Sequence, residues 1–193
     1  IICLVSVAQA ALLEAPVPQN DLLIERSDSA TRLHMAGFGT MNVPGQPRLP
    51  SRIVAVAVPP GAIIENVSVT SGEQILLDGA YQVEPVSMVL PLMTLTADEQ
   101  AVYQADYNKN FNAIYNQDAF WPESIGWLER EAGFRKYELV DVRINPVQYN
   151  PTTGQLVEHR DLTVNVEYSI DSTVSPVIDN IPRMEERARR IIM

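Results

Sequence analysis

The region Ile144–Tyr168 constrains the fold most, because two runs of alternating residues flank a turn there. In the second run, apolar and polar residues alternate with a period of two, which indicates a strand with one buried face. Its apolar positions are Leu162, Val164, Val166 and Tyr168. The turn begins at Asn150-Pro151 and contains Gly154, a residue that tolerates positive φ. We therefore predict a long antiparallel hairpin over residues 137–168.

The first arm of this hairpin changes its alternation at Pro146. Val142 and Ile144 share one parity, whereas Val147 and Tyr149 share the other. Because proline has no N–H to donate to a ladder, we predict a β-bulge or an edge position at this residue.

Earlier segments also have the patterns of strands and loops. Arg32–Phe38 is a candidate first strand, and the apolar run Ile53–Val58 is typical of a central strand buried on both faces. Between them, the Pro- and Gly-rich stretch Asn42–Pro50 predicts an extended loop. A second strand is predicted up to Ser71-Gly72, followed by a short third strand at Gln74–Leu77.

Residues 91–127 lack a sustained period of two and are rich in Asn, Gln, Asp, Tyr and Ala. We predict one long irregular loop here. A short helix at Asp98–Ala105 is expected within it, with Thr96 as N-cap and Glu99 completing a capping box. The aromatic residues near its end are Phe120, Trp121 and Trp127. Loops of this length in compact domains are usually functional or disordered, and the aromatic residues favour order.

The first ten residues, IICLVSVAQA, are apolar and end in the small-x-small pattern of a signal-peptidase site. We predict a signal-peptide remnant over residues 1–10, and hence an exported, secreted chain. A buried strand is the alternative, and the run is too short to span a bilayer alone. Cys3 is the only cysteine, so the mature chain is expected to have no disulfide and no thiol chemistry.

The residue pattern predicts no catalytic, metal or cofactor site. His34 and His159 are isolated in strand-like segments, and metal sites need three or four converging ligands, so we expect surface histidines. Asp118 and Glu123 flank the aromatic cluster; a carboxylate pair can perform acid–base chemistry, but we expect loop capping and solvation. The formal net charge of −10 argues against nucleic acid or an anionic membrane as a partner.

These patterns predict an all-β antiparallel chain in four parts. They are a signal remnant (1–10), an N-terminal extension (11–29), a β domain (30–170), and a linker (171–193) that ends in a short charged helix after Pro182 and leads to a downstream domain. On the residues alone, an extracellular adhesion module fits these observations. A carbohydrate-binding module whose aromatic residues stack on sugar rings fits them too.

Three segments, in this order, resemble the propeptide of the gingipain-type cysteine peptidases. Pro44–Ala62 begins with a Pro-Gly-x-Pro-x-Leu-Pro motif, Tyr115–Gly126 has an aromatic-Pro motif after Tyr-Asn-x-Asp, and Arg135–Ser169 contains the hairpin turn. The resemblance implies a β-sandwich or jelly-roll prodomain made in cis with a caspase-like catalytic domain. Such a prodomain assists folding and keeps the zymogen latent by laying a loop over the active-site cleft.

The resemblance also implies a contact region for the downstream peptidase domain, the expected partner. In that family an Arg from a loop in the middle of the prodomain occupies the specificity pocket. The equivalent loop lies within residues 93–114, which contain no Arg and have Lys109 as their only base. Either the cognate peptidase is not Arg-specific, or latency depends on another residue. Because aromatic residues are enriched at binding hot spots, the candidate contacts are Lys109, Tyr107, Phe111, Tyr115, Phe120 and Trp121.

Overall fold

A computed structural model describes residues 11–27, 30–90, 94–134 and 137–170 of the chain. The predicted signal remnant, linker and C-terminal helix lie outside the described residues. The elements, in chain order, are β1 (Ala11–Pro16), β2 (Leu22–Arg26), β3 (Thr31–Met35), β4 (Gly39–Thr40), β5 (Pro50–Val58), β6 (Ala62–Leu76), α1 (Ala97–Tyr115), β7 (Gly126–Phe134), β8 (Tyr137–Ile144), β9 (Val147–Asn150) and β10 (Gln155–Ile170). Regular structure therefore begins before residue 30.

Most strands belong to two antiparallel sheets. The first sheet has the order β1-β10-β6, and β9 pairs with the start of β10. The second sheet has the order β4-β5-β8-β7. Strands β2 and β3 pair with each other as a separate hairpin. The predicted all-β antiparallel fold is confirmed.

The two sheets bury one apolar layer between them, which makes the fold a β-sandwich. Residues of both sheets are at most 2% exposed in this layer, namely Val54, Val56, Val140, Val142, Ile144, Leu162, Val164 and Val166. A second apolar cluster, which we call the hairpin cluster, consists of Leu33, Leu49, Tyr81, Val83, Val147, Tyr149 and Leu156. Because burial of one Val or Leu side chain contributes about 1.5–3 kcal/mol, these two groups supply most of the apolar stabilisation.

The alternation of β10 is confirmed up to Glu167. Leu162, Val164 and Val166 face the layer between the sheets. The pairing with β6 shifts between Glu167 and Tyr168, so Tyr168 is half-buried and Ser169 is buried instead. At the end of the strand, the buried positions are therefore opposite to those that the sequence pattern predicted.

The predicted single hairpin over residues 137–168 is wrong. Strand β8 pairs with β5 and β7, so it belongs to the second sheet, while β9 and β10 belong to the first. The chain crosses between the sheets at Asn145-Pro146, which lie outside the strands. The parity change at Pro146 therefore marks a change of sheet and not a bulge. The Pro146 carbonyl accepts the N–H of His159 at 2.8 Å.

Two further strand predictions differ from the structure. In β5, Val54, Val56 and Val58 are buried but Ile53 is 46% exposed, because the outer face of the second sheet is not covered there. The predicted break at Ser71-Gly72 is absent, since β6 is continuous through it. A Cβ at Gly72 would lie 3.0 Å from the Cβ of Asp161. This glycine therefore allows β6 and β10 to approach closely, and it does not form a turn.

Replacing Val164 by Asp is expected to lower the free energy of unfolding by about 3–5 kcal/mol, because the side chain would leave an unpaired charge inside the sandwich. That is a large share of a typical stability of ~5–15 kcal/mol. Urea unfolding followed by tryptophan fluorescence measures the loss. Asn165→Asp, at the neighbouring partly exposed position, is the control and should change stability little. Equal stability of both variants would contradict the observed register.

Candidate functional site

Helix α1 occupies most of the region predicted as an irregular loop. The expected capping box is present: the Glu99 N–H donates to Thr96 Oγ1 at 3.3 Å, and the Thr96 N–H donates to Glu99 Oε2 at 2.8 Å. The helix continues to Tyr115, well beyond the predicted end at Ala105. The prediction of one long loop containing a short helix is therefore corrected to a 19-residue helix.

An aromatic stripe attaches the C-terminal half of α1 to the sandwich. Tyr107, Phe111 and Tyr115 recur every four residues and so share one face. Their rings stack, with centroids 6.0 Å apart for the first pair and 4.4 Å for the second. The Tyr115 hydroxyl donates to the Val83 carbonyl at 3.0 Å, and burial raises the pKa of Tyr115. Tyr115, with Phe111 stacked on it, therefore anchors the helix to the hairpin cluster.

The Pro-Gly-x-Pro motif forms a seat for the same half of the helix. Gly45 has φ +86°, and a Cβ there would lie 2.5 Å from the Tyr107 carbonyl oxygen and 3.0 Å from the Phe111 nitrogen. Asn110 Nδ2 donates to the Pro44 carbonyl at 3.0 Å. Only glycine allows this approach of loop to helix backbone. The motif is thus explained by packing, a role that the sequence did not reveal.

The N-terminal half of α1 does not pack on the body. Residues 97–106 are exposed all round, including Val102 at 61% and Tyr103 at 39%. Tyr103 lies one turn before Tyr107, so it extends the aromatic stripe beyond the sandwich. In the segment that precedes the helix, Val89 and Leu90 are also exposed. We call residues 97–106 the outer half of α1; sequence reasoning passed over Val102 and Tyr103.

Of the other residues predicted to contact the peptidase, some pack against the sandwich and others are exposed. Lys109 is exposed on α1. Trp121 exchanges two backbone hydrogen bonds with Tyr149, at 2.9 and 2.8 Å, packs on the hairpin cluster and precedes a cis proline. Phe120 is half-buried beside Trp121 in a groove next to the end of the helix. The structure brings Tyr107, Phe111 and Tyr115 together, but it uses Phe111, Tyr115 and Trp121 mainly for packing.

The carboxylates beside the aromatic cluster do not form a reactive pair. Asp118 accepts a hydrogen bond from Asn150 Nδ2 at 2.8 Å, which ties its loop to the hairpin turn. Glu123 is exposed. Among the described residues, no group of three or more His, Cys, Asp and Glu side chains could hold a metal ion. Likewise, no helix within the described ranges is long and apolar enough to cross a membrane.

His159 is not a surface histidine, which corrects that prediction, whereas His34 is exposed beside Glu25. The His159 residue is 3% exposed, with Nε2 2.7 Å from Gln148 Oε1 and Nδ1 3.3 Å from Ser71 Oγ. Since an amide oxygen only accepts, Nε2 carries the proton and Nδ1 accepts from the Ser71 hydroxyl. Burial lowers the pKa of His159, so this neutral form is the stable one.

Comparison with known proteins decides between the interpretations that the sequence left open. The Propeptide_C25 family model matches residues 19–182. The chain belongs to this family. It is the propeptide of a gingipain-type cysteine peptidase precursor and a non-catalytic part of it, as the sequence resemblance predicted.

Two solved structures share the fold of this propeptide. The complex of Porphyromonas gingivalis RgpB pro- and mature domains aligns with TM-score 0.61 at 16% identity, over 98% of this chain and 94% of the other. A structure on the zymogenic latency of gingipain K from Porphyromonas gingivalis aligns with TM-score 0.55 at 20% identity, over 89% and 98%. No curated protein sequence matches the chain.

Acid is expected to destabilise the propeptide through His159. Its folded pKa lies below the unfolded value of about 6.5, so the unfolded state binds the proton more readily. The contribution of the neutral ring is therefore complete above about pH 6.5 and is lost as the pH falls towards the folded pKa. Urea unfolding at several pH values should show this slope in the native chain and in His34→Gln. A slope of the same size in His159→Gln would contradict it.

Replacing Gly45 by Ala is expected to displace α1 and to cost about 1–3 kcal/mol of stability, through positive φ and the clash with Tyr107 and Phe111. Gly37→Ala is a matched control, because Gly37 also has positive φ, at +81°, but its Cβ would meet only Arg52 at 3.8 Å. Amide hydrogen exchange should therefore rise in the C-terminal half of α1 for the Gly45 variant alone. Equal exchange in both variants would contradict the role of Gly45 in seating the helix.

Proposed function

We propose that this propeptide assists the folding of its own peptidase domain and keeps that domain latent by covering the active-site cleft. The outer half of α1, with the exposed segment before it, makes the contact. The observation that carries this proposal is a helix fixed at one end and unpacked at the other, with apolar side chains at the unpacked end. We also propose that the precursor is exported, as secreted gingipain-type relatives are.

The exposed apolar side chains support an interface at this place. Val102 and Tyr103 are not buried against the sandwich. They lie on a helix whose first turn is stabilised by the capping box of Thr96 and Glu99. Removal of their apolar surface from water by a partner would contribute about 25 cal/mol per Å² before the costs of association. Tyrosine is also among the residues enriched at interface hot spots.

The anchored half of α1 supplies the rigidity that such a contact requires. The stacked rings and the Gly45 seat fix the direction in which the helix leaves the body. A helix that is formed before binding loses less backbone freedom than an unfolded segment would, so less of the interaction free energy is lost to ordering. The shared fold with gingipain K, whose structure concerns zymogenic latency, is consistent with this role.

Lys109 is our candidate for the residue that probes the specificity pocket. It is exposed and is the one base on α1. An ammonium group repays its desolvation only in an acidic pocket, so this assignment requires such a pocket in the peptidase. Lys109 lies in the anchored half of the helix, between Tyr107 and Phe111 in the sequence.

The proposal is tested by adding the 193-residue chain in trans to the separately purified catalytic domain and measuring inhibition. Val102→Asp is expected to weaken inhibition by about ten-fold or more, which corresponds to about 1.4 kcal/mol. Leu23→Asp is the matched control, because Leu23 is 62% exposed and Val102 is 61% exposed. Lys109→Ala should weaken inhibition as well.

The outcomes separate the parts of the proposal. If the native chain neither binds nor inhibits, the latency role is wrong. If Val102→Asp and Leu23→Asp inhibit alike, the contact lies elsewhere on the propeptide. If Lys109→Ala inhibits as well as the native chain, only the assignment of Lys109 is wrong.

A further inference from the structure

A cleft on the second sheet has the features of a ligand site that latency does not explain. It encloses about 450 Å³, within the ~300–1,000 Å³ of typical ligand pockets. Trp121 and Trp127 line it, together with the neutral polar side chains of Thr40, Asn42 and Gln46. Indole rings and neutral hydrogen-bonding groups thus lie in one concave surface.

Trp127 lines the cleft together with the Glu129 carboxylate. Arg143 in turn holds both oxygens of that carboxylate, through Nε at 2.8 Å and Nη2 at 2.9 Å. These bonds to Arg143 lower the pKa of Glu129, so it stays ionised. This ion pair fixes one wall of the cleft beside Trp127, which is half-buried and so presents part of its indole to a ligand.

The charge of the cleft disfavours an anionic ligand. Among the described residues that line it, Arg143 is the one cation, and it is bound to Glu129. The chain as a whole carries a formal charge of −10.

The neutral side chains suit hydroxyl groups. Thr40 and Asn42 are in contact at 3.4 Å and together present a hydroxyl and an amide, which both donate and accept. Gln46 also lines the cleft, and its buried Oε1 has no hydrogen-bond partner among the described residues.

From these features we infer that the cleft binds a neutral saccharide. One sugar ring stacks its C–H face on the Trp127 indole, and its hydroxyls exchange hydrogen bonds with Asn42 and Thr40. The positive C–H edges of the ring match the negative face of the indole. The propeptide would then attach the precursor to glycans, independently of its hold on the peptidase domain.

The chain contains two tryptophans, and both line the cleft, so their indole N–H signals in NMR spectra report directly on binding. We would titrate the 193-residue chain with maltose, lactose, chitobiose and mannobiose, with glycerol as the additive control. At least one disaccharide should shift both signals saturably. Trp127→Ala and Asn42→Ala should each weaken that binding by about ten-fold or more, whereas Tyr103→Ala, outside the cleft, should leave it unchanged.

Asn42 is an exposed loop residue, so its variant keeps the test valid if Trp127→Ala does not fold. The inference is overturned if no disaccharide shifts the indole signals. It is also overturned if glycerol produces the same shifts, which would indicate an adventitious additive only, or if binding persists unchanged in Asn42→Ala. Saturable binding of a polyproline peptide with no binding of any sugar would assign the cleft to a different partner.

Discussion

Strand β10 is hydrogen-bonded to three strands at once, and the rest of the sandwich depends on that pairing. It pairs with β6 over most of its length, with β1 in its second half and with β9 at its start. Its alternate residues Leu162, Val164 and Val166 fill the layer between the sheets. A change of register in this one strand would therefore misplace both its neighbours in the sheet and the apolar side chains that the second sheet packs against.

Patterns with a period of two predicted those parts of the fold in which one face of a strand is buried. The buried positions of β10 follow directly from its alternation. The same reasoning failed at Pro146, because a change of parity looks alike whether the strand bulges or the chain crosses to another sheet. It also failed at Gly72, where a residue typical of turns instead permits close contact with Asp161. Contacts between residues that are distant in sequence decide both cases.

The candidate site was predicted less well than the framework. Thr96 and Glu99 revealed the start of α1 because capping is local chemistry. The helix extends past its predicted end through Tyr107, Phe111 and Tyr115, whose four-residue spacing is a helical signal that the prediction did not use. The aromatic residues were interpreted as contacts for a partner, yet Tyr115 and Trp121 pack against the hairpin cluster and Phe111 stacks on Tyr115. Aromatic side chains suit a core and an interface equally, so composition alone does not distinguish the two uses.

The division of α1 into an anchored and an unanchored half has a consequence for the lifetime of the propeptide. Residues 97–106 have few tertiary contacts to lose, so they can unfold locally at a small fraction of the free energy that unfolding of the whole sandwich requires. A protease cleaves a segment from its open form, and when opening is fast the rate follows the population of that form. Cleavage at the outer half would therefore proceed while the sandwich remains folded. The element that we propose as the contact with the peptidase would then be cleaved first, while the strands behind it remain folded.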